Sequence, residues 1–158
     1  MSRIVALLNR DGRPADAGTL RRLVAPLRIP GSAEARFRVA GNAGLAYQCL
    51  RASVAPDDIQ PAALDPGLSI CFDGRLDNRE ELIRDLRADL GPEPTDLPDS
   101  QLVLACYRRF GDLFAAKLNG DYALALFDMA RQQMALARDV MGVRPLYFLA
   151  SRDTLVAA

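Results

Sequence analysis

The order of hydrophobic and polar positions predicts short strands and helices in the first third of the chain. A continuous apolar run over residues 4–8, closed by Asn, Arg, Asp and Gly, is typical of a buried strand. Apolar side chains at helical spacing predict a helix from about Asp16 that stops before Pro30. Alternation over residues 36–39 predicts a second strand, which a Gly-Asn-Ala-Gly turn joins to a strand over 45–50.

The remaining pattern predicts a group of helices followed by a run of strands. Residues 55–67, rich in proline and aspartate, are predicted to be a loop, and a strand over 68–72 is predicted to break at Asp73-Gly74. Two helices should begin at N-caps provided by Asp77 or Asn78 and by Asp99 or Ser100, and a third should begin near Leu113 with Gly120 as its C-cap. The strands that follow should span residues 122–127, 134–137, 146–149 and 155–158. Because strands and helices are grouped rather than alternating, the pattern indicates an α+β fold.

Composition and charge narrow the classes of protein that the chain can represent. Its 158 residues suit a single domain over residues 1–158, and 50% of them are hydrophobic, which is a globular composition. Twenty basic and twenty acidic residues cancel without a basic cluster, so a nucleic acid partner is not expected. No apolar run approaches the roughly eighteen residues that cross a membrane, so no membrane partner is expected either.

The side-chain inventory limits the chemistry. The chain has no histidine, which excludes a Ser-His-Asp triad, a Cys-His pair and a histidine-ligated zinc site. Cys49, Cys71 and Cys106 are widely spaced, so we expect no disulfide framework, no metal site and a reducing, cytoplasmic location. Cys71 lies in an apolar run and Cys106 on an apolar helical face, so both are expected to be buried. Acid–base chemistry would have to use a carboxylate, a thiol or the α-amino group.

Several motifs of this chain point to one family. They are Phe72-Asp73-Gly74 with Asp77-Asn78-Arg79-Glu80-Glu81-Leu82, the stretch 118–128, the pair Arg138-Asp139 and the stretch 142–147. In these motifs the chain resembles the glutaminase domain, a class II glutamine amidotransferase domain, of the asparagine synthetase superfamily. The resemblance implies an N-terminal-nucleophile hydrolase-like fold, a four-layer αββα sandwich with two antiparallel sheets between helices.

The resemblance also implies where the reactive end should be. In working relatives a cysteine stands second, becomes the N-terminus once the initiator methionine is removed, and uses its own α-amine, with a pKa of about 8, as general base. Ser2 occupies this position here. A hydroxyl holds its proton far more tightly than a thiol, whose pKa is about 8.5, so Ser2 is interpreted as a degenerate nucleophile position.

Further pocket positions differ from the family pattern that the resemblance implies. Cys49 stands where relatives carry an arginine that binds the glutamine carboxylate with both guanidinium nitrogens. Asp73, Gly74 and Arg75 replace an Asn-Gly-Glu that lines the oxyanion hole and holds the substrate ammonium, so Asp73 and Arg75 both carry the wrong charge. Asp99 keeps a position that contacts the glutamine amino group in relatives, although an aspartate that opens a helix is commonly a cap. No catalytic residue is therefore expected.

These differences predict a catalytically inactive glutaminase-like domain, the N-terminal fragment of a longer ATP-dependent amide-forming enzyme. Relatives that lack the cysteine include lasso-peptide cyclases and β-lactam synthetases, which form an amide within their own substrate and need no ammonia. The resemblance implies ATP and magnesium for the C-terminal synthetase domain and no cofactor for this one. The expected partners are that synthetase domain and a precursor peptide or small-molecule substrate of the parent enzyme.

Two alternatives stay open at the level of sequence. Ser2 could be the N-terminal nucleophile of a functional hydrolase, or of a glutamine-hydrolysing asparagine synthetase, with Cys49, Asp73 and Arg75 as a redesigned pocket. The chain could instead be an interaction module that works alone. The sequence also leaves open whether the chain forms a homodimer and which product the parent enzyme makes.

Overall fold

The structure, a computed structural model, describes residues 2–27, 30–49, 58–65, 67–90 and 96–158. The regular elements in chain order are β1 (Arg3–Asn9), α1 (Ala17–Val24), β2 (Arg36–Ala40), β3 (Ala43–Gln48), β4 (Ala62–Asp65), β5 (Leu68–Leu76), α2 (Arg79–Asp85), α3 (Asp99–Phe110), β6 (Gly120–Asp128), β7 (Gln133–Arg138), β8 (Phe148–Ala150) and β9 (Thr154–Ala157). Short 3-10 segments follow α1 at Ala25–Leu27 and α3 at Gly111–Lys117.

The strands form two antiparallel sheets that pack face to face. The first sheet has the order β2-β3-β1-β9-β8 and the second the order β4-β5-β6-β7. One buried cluster joins side chains of both sheets, namely Ile4, Ala6, Leu45, Tyr47, Cys71, Ala123, Ala125 and Ala157. Helix α1 packs on the outer face of the first sheet, and α2 and α3 pack on the outer face of the second. This arrangement confirms the predicted α+β, four-layer fold of N-terminal-nucleophile hydrolase type.

Strand β1 explains why a continuous apolar run, rather than alternation, marks the centre of the first sheet. Ile4 and Ala6 face the second sheet, whereas Val5 and Leu7 pack against Leu20 of α1. Both faces of β1 are therefore buried, and every position along it favours an apolar residue. The strand pairs with β3 on one side and β9 on the other, so it brings the N-terminal residues into the middle of the molecule.

Three sequence predictions for the second sheet are wrong. Strand β5 does not break at Asp73-Gly74, because Gly74 takes a φ of 149° and stays paired with Tyr122 of β6. Gly120 does not end a helix but begins β6 opposite Leu76 of β5. Strand β4 forms inside the predicted loop, since Ala62 pairs with Ile70 of β5. Pairing with a neighbouring strand overrides the local turn signals at all three places.

The predicted helix caps also need correction. Helix α3 has Pro98 at its N-cap position, where the sequence suggested Asp99 or Ser100. Asn78 occupies the N-cap position of α2, as predicted, but its side chain makes no cap hydrogen bond. The side chain instead donates to the Lys117 carbonyl oxygen at 2.9 Å and accepts from the Asn119 backbone N–H at 3.0 Å. The amide therefore joins the start of α2 to the segment that precedes β6. Residue 50 of the predicted 45–50 strand and residues 55–57 and 66 of the predicted loop lie outside the described residues.

Two further expectations concern the burial of the cysteines and the presence of a membrane-spanning helix. Cys71 and Cys106 are 0% exposed, as predicted from their apolar surroundings, and Cys49 is partly buried. Burial raises the pKa of the Cys71 thiol and raises that of Cys106 to about 11, so both remain protonated thiols at neutral pH. In the part of the chain that the structure describes, no helix combines the length and apolarity needed to span a membrane.

Candidate active site

Ser2 lies where the two sheets meet, and its two polar groups have partners on different strands. The Tyr47 hydroxyl of β3 donates to Ser2 Oγ at 2.7 Å. The Ser2 backbone N–H donates to Oδ1 of Asp73 in β5 at 2.6 Å. Pairing of Ile4 with Tyr47 places the start of β1 beside the last residues of β3, which explains how Tyr47 reaches Ser2. The predicted nucleophile position and the predicted oxyanion position are thus adjacent in space.

Asp73 also contacts a cation that the sequence analysis assigned no role. Arg144 Nη1 lies 3.5 Å from Asp73 Oδ2, and the two side chains are 24% and 13% exposed, respectively. Asp73 therefore has the Ser2 N–H at one oxygen and a guanidinium at the other. A carboxylate held in this way is an acceptor on both sides and offers no hydrogen-bond donor to an oxyanion.

Arg144 is positioned by the turn in which it lies. The Asp139 carboxylate accepts from the backbone N–H of Val143 at 2.8 Å and from that of Arg144 at 3.0 Å. These backbone N–H donors, of which that of Arg144 has the largest effect, hold the pKa of Asp139 below its ordinary value. The carboxylate is therefore ionised at neutral pH. Asp139 thereby fixes the loop between β7 and β8 and directs it toward Asp73.

Neither Tyr47 nor Cys49 is a base for the Ser2 hydroxyl. Burial raises the pKa of Tyr47, so the phenol stays protonated and acts as a donor to Ser2. Burial likewise raises the pKa of the Cys49 thiol, against a smaller opposing effect of the Ser2 hydroxyl. Both groups are neutral at pH 7 and bring no positive charge to the position at which the family resemblance predicts a carboxylate-binding arginine.

The other predicted pocket residues have partners within the protein. Arg75 forms ion pairs with Asp77 and with Asp121, the latter at 3.2 Å, and its side chain is 64% exposed. Asp99 accepts from the Leu76 backbone N–H at 2.8 Å and forms an ion pair with Arg79. The Asp99 carboxylate therefore joins the end of β5 and the start of α2 to α3. Its two oxygens are already engaged by these groups of the same chain.

Gly74 is required by the close approach of β5 and β6. An added Cβ at Gly74 would lie 2.1 Å from the Asp121 carbonyl oxygen, far inside van der Waals contact. The φ of 149° also belongs to a region that favours glycine. This position therefore keeps the glycine of the family pattern, while its neighbours Asp73 and Arg75 depart from it. Among the described residues, no group of three His, Cys, Asp or Glu side chains is arranged to hold a metal ion.

Sequence reasoning missed two members of the site. The sequence analysis gave Tyr47 no role, and it included Arg144 only as part of the family motif 142–147. A signal for Tyr47 existed, because pairing of β1 with β3 would place it beside the chain start. No local signal marks Arg144, because its contact with Asp73 spans 71 positions of the sequence and depends on the packing of the two sheets.

The two stacked sheets between helices, with residue 2 where the sheets meet, define a fold of N-terminal-nucleophile hydrolase type. Residues 49–158 match the family described as glutamine amidotransferase domain, and the chain belongs to this family. The chain is 35% identical over 89 residues to the glutamine-hydrolysing asparagine synthetase of Gallus gallus, covering 56% of this chain and 15% of that protein. It is 33% identical over 89 residues to glutamine-hydrolysing asparagine synthetase 1 of Bacillus subtilis, covering 56% of this chain and 14% of that protein.

A solved structure shares the fold over almost the entire chain. It is the glutamine phosphoribosylpyrophosphate amidotransferase of B. subtilis in complex with ADP and GMP, with a TM-score of 0.68 and 17% sequence identity. The alignment covers 99% of this chain and 41% of that chain. The chain is thus a glutamine amidotransferase domain related to asparagine synthetases, and it spans only 14–15% of the length of the two synthetases.

Proposed function

We propose that this chain is a catalytically silent glutaminase-type domain of an ATP-dependent amide-forming enzyme. One observation carries the proposal: the Ser2 nitrogen donates to Asp73 Oδ1 at 2.6 Å. This nitrogen is the atom that becomes the α-amine, and hence the general base, when the initiator methionine is removed. The contact therefore affects the base as well as the oxyanion position.

The carboxylate of Asp73 opposes catalysis in two ways. Beside an anion, an α-amine with an ordinary pKa of about 8 favours its ammonium form, which cannot take a proton from the Ser2 hydroxyl. A tetrahedral intermediate at Ser2 would also place its oxyanion near a carboxylate instead of an amide donor. Loss of one oxyanion donor lowers the rate by about 10²–10³, and here the donor is replaced by a repelling charge.

Stepwise restoration of the family residues tests this proposal. The measurement is ammonia and glutamate released from glutamine by protein that lacks Met1, verified by intact mass. We expect no turnover from the unchanged chain or from Ser2→Cys alone, because Asp73 still holds the α-amine. Adding Asp73→Asn to Ser2→Cys should raise the rate by about 10² or more, and adding Cys49→Arg with Arg75→Glu should lower KM.

The matched control for this series is Asp153→Asn, an identical chemical change at a side chain that is 56% exposed. It should leave the rate of the Ser2→Cys protein unchanged. Glutamine turnover by the unchanged, Met1-free chain at the rate of the fully restored variant would refute the proposed silence.

The same reasoning extends to the parent enzyme. An amide-forming enzyme whose nucleophilic amine lies within its own substrate needs no ammonia, which favours a lasso-peptide cyclase or a β-lactam synthetase. ATP and magnesium would then be bound by a C-terminal synthetase domain, with a precursor peptide or a small molecule as its substrate. The support for this step is the negative charge introduced at Asp73 and the reversed charge at Arg75, together with the relatedness to asparagine synthetases.

An exposed apolar surface supports the synthetase domain as partner. Its side chains lie in a single segment and belong to Val140, Met141, Val143, Tyr147, Phe148 and Leu149, which we call the 140–149 surface. It includes β8, the edge strand of the first sheet. Tyr147 and Ala158 share two backbone hydrogen bonds of 2.8 and 2.9 Å, so a polypeptide that continues past Ala158 would start beside this surface. We propose that an apolar face of the synthetase domain covers it.

A second candidate function keeps Ser2 as a nucleophile for a substrate of different charge. The observation in its favour is the 2.7 Å hydrogen bond from Tyr47, which orients the Ser2 hydroxyl. An electrophilic acyl probe should then label Ser2 in Met1-free protein, and Tyr47→Phe should reduce the labelling. Absence of labelling, read by intact mass, would reject this candidate and leave the silent domain.

A further inference from the structure

The contact between Ser2 and Asp73 joins the two sheets at the start of the chain. Ser2 precedes β1 of the first sheet, and Asp73 lies in β5 of the second, 71 positions away. The Asp73 side chain is 13% exposed, so the interaction is only partly accessible to water. In a site of this kind a charged donor contributes more than a neutral one, because solvent screens the attraction less than at an open surface.

We propose that removal of Met1 is a maturation step that tethers the N-terminus to Asp73 through an ion pair between the Ser2 α-ammonium and the Asp73 carboxylate. Hydrolysis of the Met1–Ser2 peptide bond by an aminopeptidase takes up one water, releases methionine and leaves an amine on Ser2. This amine takes up a proton from solvent. The hydrogen bond of an amide N–H thereby becomes a charge-assisted bond between opposite charges.

The charges around Ser2 are compatible with one more cation. Arg144 is the guanidinium that contacts Asp73, at 3.5 Å. The positive charge of Arg36 slightly opposes the rise in the pKa of the neighbouring Cys49. The negative charges of Asp58 and Asp73 both help to raise the pKa of Tyr47, so carboxylates approach the site from two segments. Tyr47 of β3 and Cys49, which follows this strand, are the titratable groups of this segment at the site, and both remain neutral because burial raises the pKa of each. The ammonium would thus join two carboxylates and two guanidiniums.

This inference deepens the proposed function, since a domain whose α-amine is held as ammonium uses that amine for structure and not as a base. The two claims can fail separately. Glutamine turnover tests the silence of the site, whereas the stability of the processed and unprocessed chains tests the tether. A chain that is tethered yet hydrolyses glutamine, or silent yet untethered, would be recognised by these two measurements on the same samples.

The experiment is a cycle of four proteins. The full chain is released from a removable fusion, which leaves either Ser2 as the first residue or Met1 in place. Each of these two chains is prepared with Asp73 and with Asp73→Asn. Loss of Met1 should raise the Tm by about 3 °C or more when Asp73 is present. In Asp73→Asn it should leave the Tm unchanged or lower it, because Arg144 then repels the ammonium. Asp153→Asn, at an exposed carboxylate, is the matched control and should preserve the Met1 effect.

A second readout does not depend on how well Asp73→Asn folds. The pKa of the Ser2 α-amine, measured from the pH dependence of its acylation rate in the Met1-free chain, should lie at least about one unit above the usual 7.7–8.0. A pKa that is raised on folding contributes stability below the unfolded value, and this contribution disappears as the pH rises through the folded value. An ordinary α-amine pKa together with equal Tm values for the processed and unprocessed chains would overturn the tether.

Discussion

The side-chain amide of Gln60 replaces a backbone partner for Phe72. The Phe72 N–H donates to Gln60 Oε1 at 2.6 Å, and Gln60 Nε2 donates to the Phe72 carbonyl oxygen at 2.9 Å. Ala62 pairs with Ile70, so Gln60 lies at the position that would face Phe72 if β4 were longer. Pro61, which has no N–H to donate, lies between Gln60 and Ala62 and ends the regular pairing of β4 with β5. The Gln60 amide thus continues the sheet up to the residue that precedes Asp73.

Gln60→Ala should destabilise the protein strongly. Gln60 is 1% exposed and Phe72 is 2% exposed, so the substitution leaves two buried backbone groups without partners. We expect a loss of about 2–4 kcal/mol in the free energy of unfolding, measured by urea denaturation. The control Gln133→Ala, on the exposed part of edge strand β7, should change it by about 0.5 kcal/mol or less. Equal effects of the two substitutions would contradict the assigned role of Gln60.

Gly74→Ala should disrupt the pairing of β5 with β6. Its Cβ would lie 2.1 Å from the Asp121 carbonyl oxygen, and these are backbone atoms that cannot rotate away. The expected loss is about 3 kcal/mol or more, or failure to fold. Gly12→Ala is the matched control, because Gly12 also has a positive φ, of 81°, but no atom within 4 Å of the added Cβ. That control should cost about 1 kcal/mol, from backbone strain alone.

Asp139→Asn should loosen the loop between β7 and β8. The carboxylate accepts from the backbone N–H groups of Val143 and Arg144, and an amide accepts these bonds more weakly. The pKa of Asp139 is lowered in the folded state, so its contribution to stability is present above the unfolded value of about 3.9 and lost as the pH falls through the folded value. The variant should therefore have a Tm several degrees lower at pH 7, and the difference should shrink in acid.

The matched variant for this pH experiment is Asp153→Asn, whose side chain is 56% exposed. Its Tm should follow that of the unchanged chain at every pH. Thermal melts by circular dichroism between pH 7 and pH 3 provide the measurement. A difference for Asp139→Asn that grows in acid would show that the ionised carboxylate is not what holds the loop.

Thiol reactivity should distinguish the three cysteines. Cys71 and Cys106 are 0% exposed with raised pKa values, so a thiol reagent should modify at most Cys49 in the native protein at pH 8. Cys49 should react more slowly than a free cysteine, because partial burial raises its pKa as well. All three cysteines should react in denaturant, and mass spectrometry gives the number of modified thiols. Rapid modification of Cys106 in native protein would contradict its placement on the buried face of α3.

The 140–149 surface should make the isolated chain bind apolar dyes. Phe148→Glu with Leu149→Glu should lower the fluorescence of such a dye at least about twofold and reduce self-association in sedimentation runs. These side chains are 67% and 74% exposed, so the Tm should stay within about 2 °C. Leu113→Glu removes a side chain of similar exposure, 71%, outside this surface and should leave dye binding nearly unchanged. Equal loss in both proteins would mean that the surface has no special apolar character.

Local patterns succeeded where both faces of an element are buried or where helical spacing is regular. The apolar run of β1 is an example, since Ile4 and Val5 face opposite layers and both positions exclude polar residues. The patterns failed at Gly74 and Gly120, where each glycine resembles a turn signal. Both lie in paired strands at points where the two backbones approach too closely for a side chain.

The amino-acid sequence by itself determined the family, the layered α+β fold and the serine at position 2, because motifs and periodicities are local properties of the chain. Only the tertiary structure decided what the altered residues do. It placed the Asp73 carboxylate between the Ser2 nitrogen and the Arg144 guanidinium, and it engaged Asp99 with Arg79. The Asp73 contacts join residues 71 positions apart on either side, and they exist because two sheets pack face to face at the start of β1.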